Sequence, residues 1–336
     1  MERGSNTEAG AEEGAETTGG SRLRQGRVVR ADARVCHVEI DGEVVQCAPR
    51  GKLFEHQEHV KNPVAVGDLV LVSLTGDPPG IERVLPRANW LGRVASSHDP
   101  REQVLFANVD QLFVVASLAK PRFSSLRTDR ILAACRWHDI PAALVLNKVD
   151  LDRKGEGPPI RATYEAAGVD VLETCATDGR GVPELGAHLR GRVSAFYGGS
   201  GVGKSTLLNT ILPDLGLKVG KISKYWDAGK HTTTHSQMHH LDGDTWVIDT
   251  PGIRVFRLHG ISKGELRTLF PEFEPYQGRC HFPNCTHDHE PDCAVFAAVD
   301  AGELAATRYA SYVEMLDEIE PPGEETVPMD PGESDD

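Results

Sequence analysis

The stretch "GGSGVGKST", residues 198–206, constrains the fold of this chain more than any other segment. It matches the pattern G-x-x-x-x-G-K-[ST], with the apolar run "VSAFY" before it and "LLNTIL" after it. Glycines in such a loop let successive backbone N–H groups curl around an anion at the N-terminus of the following helix. The stretch therefore predicts a strand, a phosphate-binding loop and a helix, which open an α/β nucleotide-binding domain.

Two side chains of this loop carry chemistry of their own. Lys204 brings a positive charge to the outer phosphates of a nucleotide, and we count it among the catalytic residues. The Ser205 hydroxyl is a ligand suited to Mg²⁺. The nucleotide-binding residues that the pattern predicts are Gly198, Gly199, Ser200, Gly201, Val202, Gly203, Lys204, Ser205 and Thr206.

Two further segments downstream suit the same nucleotide. In "DTPG", residues 249–252, Asp249 supplies a carboxylate to the shell of Mg²⁺ and Gly252 is free to turn its N–H toward a γ-phosphate. The segment "GKHTTT", residues 229–234, lies before it and offers Thr hydroxyls to the ion, of which we choose Thr233. A Thr-rich surface loop is the alternative interpretation of this last segment.

The motif "NKVD", residues 147–150, ends an apolar run upstream of the phosphate loop. Asp150 is suited to accept hydrogen bonds from the N1 and N2 donors of guanine, which adenine lacks, while Asn147 and Lys148 would brace the neighbouring loops. The segment "TCAT", residues 174–177, is placed like a loop whose backbone N–H meets the guanine carbonyl. The base-binding residues predicted here are Asn147, Lys148, Val149, Asp150, Cys175 and Ala176.

The order of these elements along the chain is unusual. In ordinary GTPases the phosphate loop comes early and the guanine motif late, whereas here the guanine motif precedes residues 198–206. A compact domain whose termini are neighbours tolerates such a circular permutation. The sequence therefore predicts a circularly permuted P-loop GTPase that uses GTP and GDP with Mg²⁺.

The flanking segments predict a multidomain chain. Residues 98–260 alternate between strand-like and helical patterns, as expected of the α/β GTPase domain. Residues 21–97 contain short strand candidates separated by turns, including a hairpin at Asp41-Gly42, and an N-terminal OB-like β-barrel fits them best. We expect a small C-terminal zinc-binding domain with helices over residues 261–319 and disordered acidic tails over 1–20 and 320–336.

The zinc prediction comes from a cluster of Cys and His residues. Cys280, Cys285 and Cys293 lie close together, and a histidine among them would complete a tetrahedral site. Four protein ligands leave no open position, so the ion would be structural. The histidines that compete for the fourth place are His281, His287 and His289.

The distribution of charge along the chain bears on which partners the protein can bind. The formal net charge is −14, but residues 1–20 hold five Glu and one Arg, and residues 320–336 hold seven acidic residues and no basic ones. The acidity thus belongs mostly to the tails and does not exclude RNA. Polar opening residues and the lack of an apolar run near ~20 residues lead us to expect a cytoplasmic protein without a membrane partner, and a monomer.

With these motifs the chain resembles the small-ribosomal-subunit-dependent GTPases, the RsgA/YjeQ-like family. The resemblance runs over about residues 21–319 and includes "NKVDL", "GGSGVGKSTLLN", "GKHTTT", "DTPG" and "CHFPNCTHDHEPDCAV". It implies GTP hydrolysis stimulated by the small ribosomal subunit and its rRNA, at a late assembly checkpoint. The family pattern also selects His287 as the fourth zinc ligand. A barrel and a basic zinc module that flank a nucleotide switch would suit binding to structured RNA.

The water-positioning group is the least determined part of the site. Many GTPases carry a Gln just after the DxxG element, but here Ile253 and Arg254 follow it. We therefore predict that His231, one residue before the threonines, orients the attacking water. His231 could instead pack or bind rRNA. Rival functions are a permuted GTPase switch for a non-ribosomal RNA or protein partner, an ATPase or kinase with a fortuitous NKxD, and a non-catalytic RNA-binding protein.

Overall fold

The structure is a computed structural model that describes residues 17–18, 21–32, 34–55, 59–96, 98–214, 236–250 and 256–319. Along these residues the strands are β1 (Thr17–Thr18), β2 (Ser21–Ala31), β3 (Cys36–Ile40), β4 (Glu43–Pro49), β5 (Leu69–Ser73), β6 (Gly80–Val84), β7 (Trp90–Ser96), β8 (Asp99–Ala107), β9 (Gln111–Ser117), β10 (Ala142–Asn147), β11 (Asp170–Thr174), β12 (Val193–Tyr197), β13 (Gln237–Asp242) and β14 (Thr245–Asp249). The α-helices are α1 (Ser125–Trp137), α2 (Gly157–Ala166), α3 (Val182–Leu189), α4 (Lys204–Asp214), α5 (Lys263–Leu266), α6 (Ala294–Asp300) and α7 (Ala306–Glu318). None of these helices is long and apolar enough to cross a membrane.

The first unit is a closed five-stranded barrel. Each strand pairs with the next around the ring β2-β3-β4-β6-β5, and β5 returns to β2, so the sheet has no free edge within the ring. All pairs are antiparallel except β4 with β6. The predicted hairpin joins β3 and β4 through Asp41 and Gly42, both at positive φ, which matches the right-handed twist of the strands. The OB-like barrel expected from the sequence is confirmed.

The central unit is a largely parallel sheet in the order β11-β10-β9-β12-β14, with β13 antiparallel at its edge. The middle strands β9 and β12 are buried along their whole length, because helices cover both faces of the sheet. Side chains from α1 and α2 belong to the hydrophobic core on one face, whereas α3 and α4 contribute to the core on the other. This confirms the α/β architecture expected from the sequence.

Barrel and central sheet are physically continuous. Gln237 of β13 pairs with Arg30 of β2, so the barrel strand extends the edge of the central sheet. Strands β7 and β8 pair with each other between the two units. The domain boundary expected at residue 97 falls between these two paired strands, and it stays a prediction. Thr17–Thr18, inside the expected N-terminal tail, pair with β2, and the rest of both tails lies outside the described residues.

The last unit is a small module built over residues 261–319 that packs on α1. Its core contains Phe270, Phe273 and Tyr312, whose rings meet at centroid distances of 5.1–5.2 Å, and Ala133 of α1 joins the same cluster. Aromatic rings in these stacked and edge-on arrangements stabilise a core beyond the area that they bury. A rich aromatic core thus compensates for the short helices of the module.

A buried guanidinium joins this module to the central unit. Arg308 of α7 is only 4% exposed and donates to Asp129 of α1 at 2.6 Å and to Glu272 at 2.7 Å. The hydroxyl of Tyr164 in α2 donates to the same oxygen of Asp129 at 2.7 Å. Buried charges are tolerated only when they are paired and hydrogen-bonded, so these contacts fix the module on α1 and α2.

We expect Arg308→Met to lower the free energy of unfolding by about 3–5 kcal/mol, because it leaves two buried carboxylates without their cation. The matched control is Arg130→Met on α1, since its partner Glu318 is 41% exposed and exposed pairs contribute at most about 1 kcal/mol. Urea unfolding followed by circular dichroism measures both. Equal decreases in the free energy of unfolding of the two variants would contradict the claim that the buried ion pairs of Arg308 stabilise the fold more than an exposed pair does.

Candidate nucleotide site and metal site

The predicted nucleotide-binding segments meet at one edge of the central sheet. Neighbouring strands end together there: Asn147 of β10 pairs with Ser117 of β9 and with Thr174 of β11, and Phe196 of β12 pairs with Asp249 of β14. All of these are carboxyl ends of parallel strands, outside which open α/β sheets bind their ligands. Segments that are distant in sequence thus form one site.

The phosphate loop connects β12 to α4 with its outer face open. Ser200, Gly201 and Ser205 are exposed, whereas Lys204 is buried and its ammonium donates to the carbonyl of Gly198 at 2.7 Å. A Cβ on Gly198 would lie 2.2 Å from the carbonyl oxygen of Val115, so the loop can approach β9 only with glycine. The loop is therefore shaped before any ligand arrives.

The side chain of Asn147 ties three segments together. Its amide nitrogen donates to the carbonyl of Val202 in the phosphate loop at 2.8 Å. Its amide oxygen accepts from the Thr174 hydroxyl at 3.1 Å. Asn147 is 1% exposed, so it makes these hydrogen bonds away from bulk solvent. The guanine motif therefore braces the phosphate loop and the "TCAT" loop at once.

Lys148 makes a second bridge beside it. Its ammonium donates to the carbonyls of Lys120 and Gly201, both at 2.6 Å. Lys148 itself has φ 62°, a left-handed conformation that turns the chain sharply at the end of β10. The charge of Lys148 thus holds the phosphate loop against the loop that follows β9, and its aliphatic stem is available to flank a base.

Asp150, the residue predicted to read guanine, is exposed and held in place by Cys175. The thiol of the fully buried Cys175 lies 3.1 Å from Oδ1 of Asp150 and 3.0 Å from the Thr177 hydroxyl. The sequence interpretation considered only the backbone of Cys175 and Ala176, and it missed this side-chain contact. The small donor before Ala176 was the available signal, because a thiol or hydroxyl there reaches a carboxylate on the neighbouring strand end.

Lys204 and Asp249 form the charged centre of the phosphate side. Burial raises the pKa of Asp249 to about 6, and the neighbouring Lys204 opposes this rise. Burial lowers the pKa of Lys204, and Asp249 opposes that shift. Oδ1 of Asp249 is buried with no hydrogen-bond partner among the described residues, and a hydrated cation would satisfy it. Ser205 and Asp249 therefore fit the magnesium ion that a GTPase uses.

Part of the predicted site lies outside the described residues. This applies to Gly252 of the "DTPG" segment and to both His231 and Thr233 of the "GKHTTT" segment. Thr250, between Asp249 and this region, is described, and its hydroxyl donates to the carbonyl of Phe196 at 2.7 Å. That bond fixes Thr250 to the end of β12, directly before the phosphate loop.

The predicted metal ligands also meet in space. Their ligand atoms all lie within 4.8 Å of one another, and His287 turns Nδ1 toward two of the sulfurs at 3.5 Å. This donor set and this closeness fit a tetrahedral structural zinc site. His281 and His289, the competing ligands, are exposed and belong to no such cluster of described residues. The members of the cluster are Cys280, Cys285, His287 and Cys293.

Backbone N–H groups point at two sulfurs of this cluster, while burial opposes ionisation of its buried thiols. The backbone N–H of Ala294 donates to the sulfur of Cys280 at 3.3 Å, and that of Phe296 donates to the sulfur of Cys293 at 3.4 Å. Burial raises the pKa of the Cys285 and Cys293 thiols, so a cation is needed to hold them ionised at neutral pH. The sequence interpretation did not anticipate these N–H···S bonds, which depend on the turn that starts α6.

The order of these motifs along the chain differs from that of ordinary GTPases, although the motifs form one continuous site. The strands and loops occupy one continuous sheet edge, yet the guanine motif is reached first along the chain and the phosphate loop later. The protein is thus a P-loop GTPase with a circularly permuted domain. It belongs to the RsgA GTPase family, whose family model matches residues 84–259.

Alignments with similar proteins cover most of this chain. It is 41% identical over 305 residues to the small ribosomal subunit biogenesis GTPase RsgA of Bordetella pertussis, covering 89% of this chain and 97% of that protein. It is 38% identical over 284 residues to RsgA 2 of Bacteroides thetaiotaomicron, which bears the same description, covering 83% and 92%.

Solved structures agree with the fold. The crystal structure of YjeQ from Thermotoga maritima superposes with a TM-score of 0.67 at 33% identity, covering 88% of this chain and 98% of that one. The crystal structure of YloQ, described as a circularly permuted GTPase, superposes with a TM-score of 0.62 at 27% identity, covering 91% and 98%. The barrel, the permuted domain and the Cys/His module therefore form one shared architecture.

We propose that Asp150 selects guanine, and Asp150→Asn tests this assignment. The substitution replaces an acceptor by an amide donor opposite the N1 and N2 donors of guanine, at a cost of about 1–3 kcal/mol for each unsatisfied group. We expect weaker GDP binding and a preference for xanthosine diphosphate, measured by calorimetric titration. Asp152→Asn, on the same loop, is the control that should change neither affinity. Unchanged GDP binding in Asp150→Asn would contradict the assignment of guanine recognition to Asp150.

Proposed function

We propose that this GTPase acts in the biogenesis of the small ribosomal subunit, and that the subunit stimulates its GTP hydrolysis at a late checkpoint. The proposal rests on the extent of the sequence alignments. Relatives described as small ribosomal subunit biogenesis GTPases align over 92–97% of their own length. Barrel, GTPase domain and Cys/His module are thus all included in the similarity. The names of these relatives do not favour a non-ribosomal partner.

We propose the following roles for the residues of the nucleotide site. Gly198 to Thr206 would hold the phosphates through backbone N–H groups, and Lys204 would neutralise charge on the transferred phosphoryl group. Asn147, Lys148 and Val149 would frame the base that Asp150 reads, with the N–H of Ala176 on its carbonyl. The buried orphan oxygen of Asp249 supports a place for this residue in the shell of Mg²⁺, beside Ser205. Thr233 and Gly252 complete the proposal on the γ-phosphate side.

Binding of the subunit is assigned to the two modules that flank the GTPase domain. The barrel segment 21–97 carries eleven basic and nine acidic residues and includes Arg22, Arg24, Arg27 and Arg30 near its start. Such a cluster, on a fold that accommodates nucleic acid, supports contact with rRNA. We further propose that the protein works in the cytoplasm as a monomer.

The zinc ion is proposed as a structural brace of the module over 261–319. Besides the cluster itself, Nδ1 of the buried His287 faces the sulfurs of Cys280 and Cys293 at 3.5 Å, which supports this nitrogen as the ligand atom. Cys280 and Cys285 lie before α6 and Cys293 is its N-cap, so the ion would clamp the loop to the helix start.

Removing a zinc ligand should therefore unfold the module and leave the nucleotide site intact. For Cys285→Ala we expect loss of stoichiometric zinc, measured by metal analysis, and loss of co-sedimentation with small subunits, while GDP affinity survives. Cys135→Ala, a buried thiol of α1 outside the cluster, is the control that should keep its zinc. Wild-type protein without zinc, or a variant that keeps it, would refute the proposal.

For catalysis we propose that His231 positions the attacking water. A neutral imidazole accepts a proton or orients water near pH 7, and the residues after the "DTPG" segment do not offer a Gln. His231→Ala should lower subunit-stimulated turnover by about 10²-fold or more, the range of general acid–base contributions. GTP affinity and subunit binding should stay unchanged.

Stimulated phosphate release, nucleotide affinity and co-sedimentation are measured separately on the same preparations. His235→Ala, four residues further on, is the control for loss of an imidazole in this segment. Full stimulated turnover in His231→Ala would rule out the assigned role. Absence of stimulation in the wild type would instead contradict the proposed ribosomal function itself.

A further inference from the structure

Three arginines line one cavity beside the phosphate loop. Arg122 precedes α1, and Arg127 and Arg130 lie on the first turns of that helix. The same cavity is lined by Gly198 of the phosphate loop and by Phe256, the first described residue after the "DTPG" segment. The rise of ~1.5 Å per residue places Arg130 about 4.5 Å beyond Arg127 along the helix axis. These three residues therefore form a compact positive surface, the arginine patch.

Most of the charge of the arginine patch has no partner among the described residues. Arg122 and Arg127 are exposed, and neither guanidinium makes an ion pair or a hydrogen bond there. Arg130 pairs with Glu318 through one terminal nitrogen, but its Nε is buried and has no acceptor in the described part of the chain. Buried polar atoms are nearly always hydrogen-bonded, so this nitrogen indicates a further acceptor. The patch is therefore suited to bind carboxylates or another anionic group.

The elements around the arginine patch offer it few carboxylates. Residues 111–128, which include β9 and the start of α1, hold no acidic residue. Asp129 is 1% exposed and is bound to another guanidinium. On α7, which packs on α1, Glu318 pairs with the patch, whereas the exposed Glu314 and Asp317 make no ion pair with its arginines. Described residues thus neutralise only part of the charge.

A strongly acidic segment begins next to the arginine patch. The helix α7 ends at Glu318, whose carboxylate pairs with Arg130, so the chain leaves the helix beside the patch. The residues that follow, 320–336, include seven acidic and no basic ones. Six extended residues span at most about 20 Å, which is enough for the glutamates at 324–325 to reach Arg127. Position and charge therefore both make this segment a suitable occupant.

We propose that the acidic segment 320–336 docks on the arginine patch of its own chain and shields it from other polyanions. Its carboxylates pair with Arg122 and Arg127 and supply the acceptor for Nε of Arg130. Hydrogen bonds between guanidinium and carboxylate are strong, and the covalent tether raises the effective concentration of the segment at the patch. An RNA must displace the segment to reach these arginines, which disfavours RNAs that lack further contacts with the protein. Neither the docking nor its tests require ribosomal subunits.

A crosslink within the full-length protein tests the docking directly. Photoreactive p-benzoylphenylalanine replaces Phe123, which lines the same cavity, and an equal mixture of isotope-labelled and unlabelled protein is irradiated. We expect crosslinked peptides that join position 123 to residues 320–336 of the same chain, identified by mass spectrometry. Salt at about 1 M, where the Debye length is about 3 Å, should suppress them.

Matched variants show whether the arginines hold the segment. Arg122→Ala/Arg127→Ala should remove most of the crosslink, whereas Arg153→Ala/Arg190→Ala removes two exposed arginines outside the cavity and should keep it. The same probe at Phe54, an exposed ring of the barrel, should not crosslink to residues 320–336. No crosslink from position 123 to these residues, or one that joins differently labelled chains and so reports a second copy, would overturn the proposal.

Binding of a simple polyanion measures the shielding. In a neutral variant, all seven acidic residues of 320–336 are replaced by Gln or Asn, and fluorescein-labelled oligouridine is titrated by anisotropy. We expect this variant to bind oligouridine at least about tenfold more tightly than the wild type, because phosphates gain three arginines. The slope of log K against log salt concentration should steepen by about 2, at ~0.7 for each phosphate contacted on a single strand.

The gain in oligouridine affinity should depend on the arginine patch. Adding Arg122→Ala/Arg127→Ala to the neutral variant should abolish the gain, whereas adding Arg153→Ala/Arg190→Ala should preserve it. Replacing the five Glu of residues 1–20 by Gln is the control for net charge, because that segment joins the barrel through Thr17–Thr18. Circular dichroism confirms that each variant is folded. Unchanged affinity in the neutral variant, or a gain that persists without Arg122 and Arg127, would overturn the proposal.

Discussion

The nucleotide site depends on one buried amide, the side chain of Asn147. By donating to Val202 and accepting from Thr174 it joins the ends of three segments that the chain visits in an unusual order. Neither these hydrogen bonds nor the parallel pairing of the strands depends on which segment comes first along the chain. The site therefore survives permutation, because its geometry is held across the sheet and not along the chain.

The circular permutation changes which part of the chain follows the nucleotide site. The chain leaves β14 at the phosphate side and, beyond the segment outside the described residues, enters the Cys/His module directly. That module packs on α1, which begins just after the Lys120 loop that Lys148 ties to the phosphate loop. Arg308 closes the path by pairing with Asp129 in the same helix. The described residues thus link the phosphate loop to the module through Lys148, α1 and Arg308.

The residues that the sequence identified are those whose chemistry is local. A phosphate loop needs its glycines and Lys204 within a few residues, and Cys280 to Cys293 lie in one short stretch, so spacing predicts the loop and the cysteine ligands, while the family resemblance was needed to choose His287. What it missed is long-range or weakly patterned. Arg308 meets Asp129 across 179 positions, and the thiol of Cys175 reaches Asp150 only because β10 and β11 are neighbours. The edge strand β13, "QMHHLD", is too polar to stand out as a strand.

The most direct test of this account is the affinity of Asn147→Ala for GDP and inosine diphosphate, measured by calorimetric titration. The substitution leaves a buried carbonyl and a buried hydroxyl unpaired, each at about 1–3 kcal/mol, without removing any group expected to touch a phosphate. We predict that both nucleotides bind about tenfold or more weakly and by the same factor, because the phosphate loop loses its brace. Unchanged affinity for both nucleotides would contradict the claim that Asn147 holds the permuted site together.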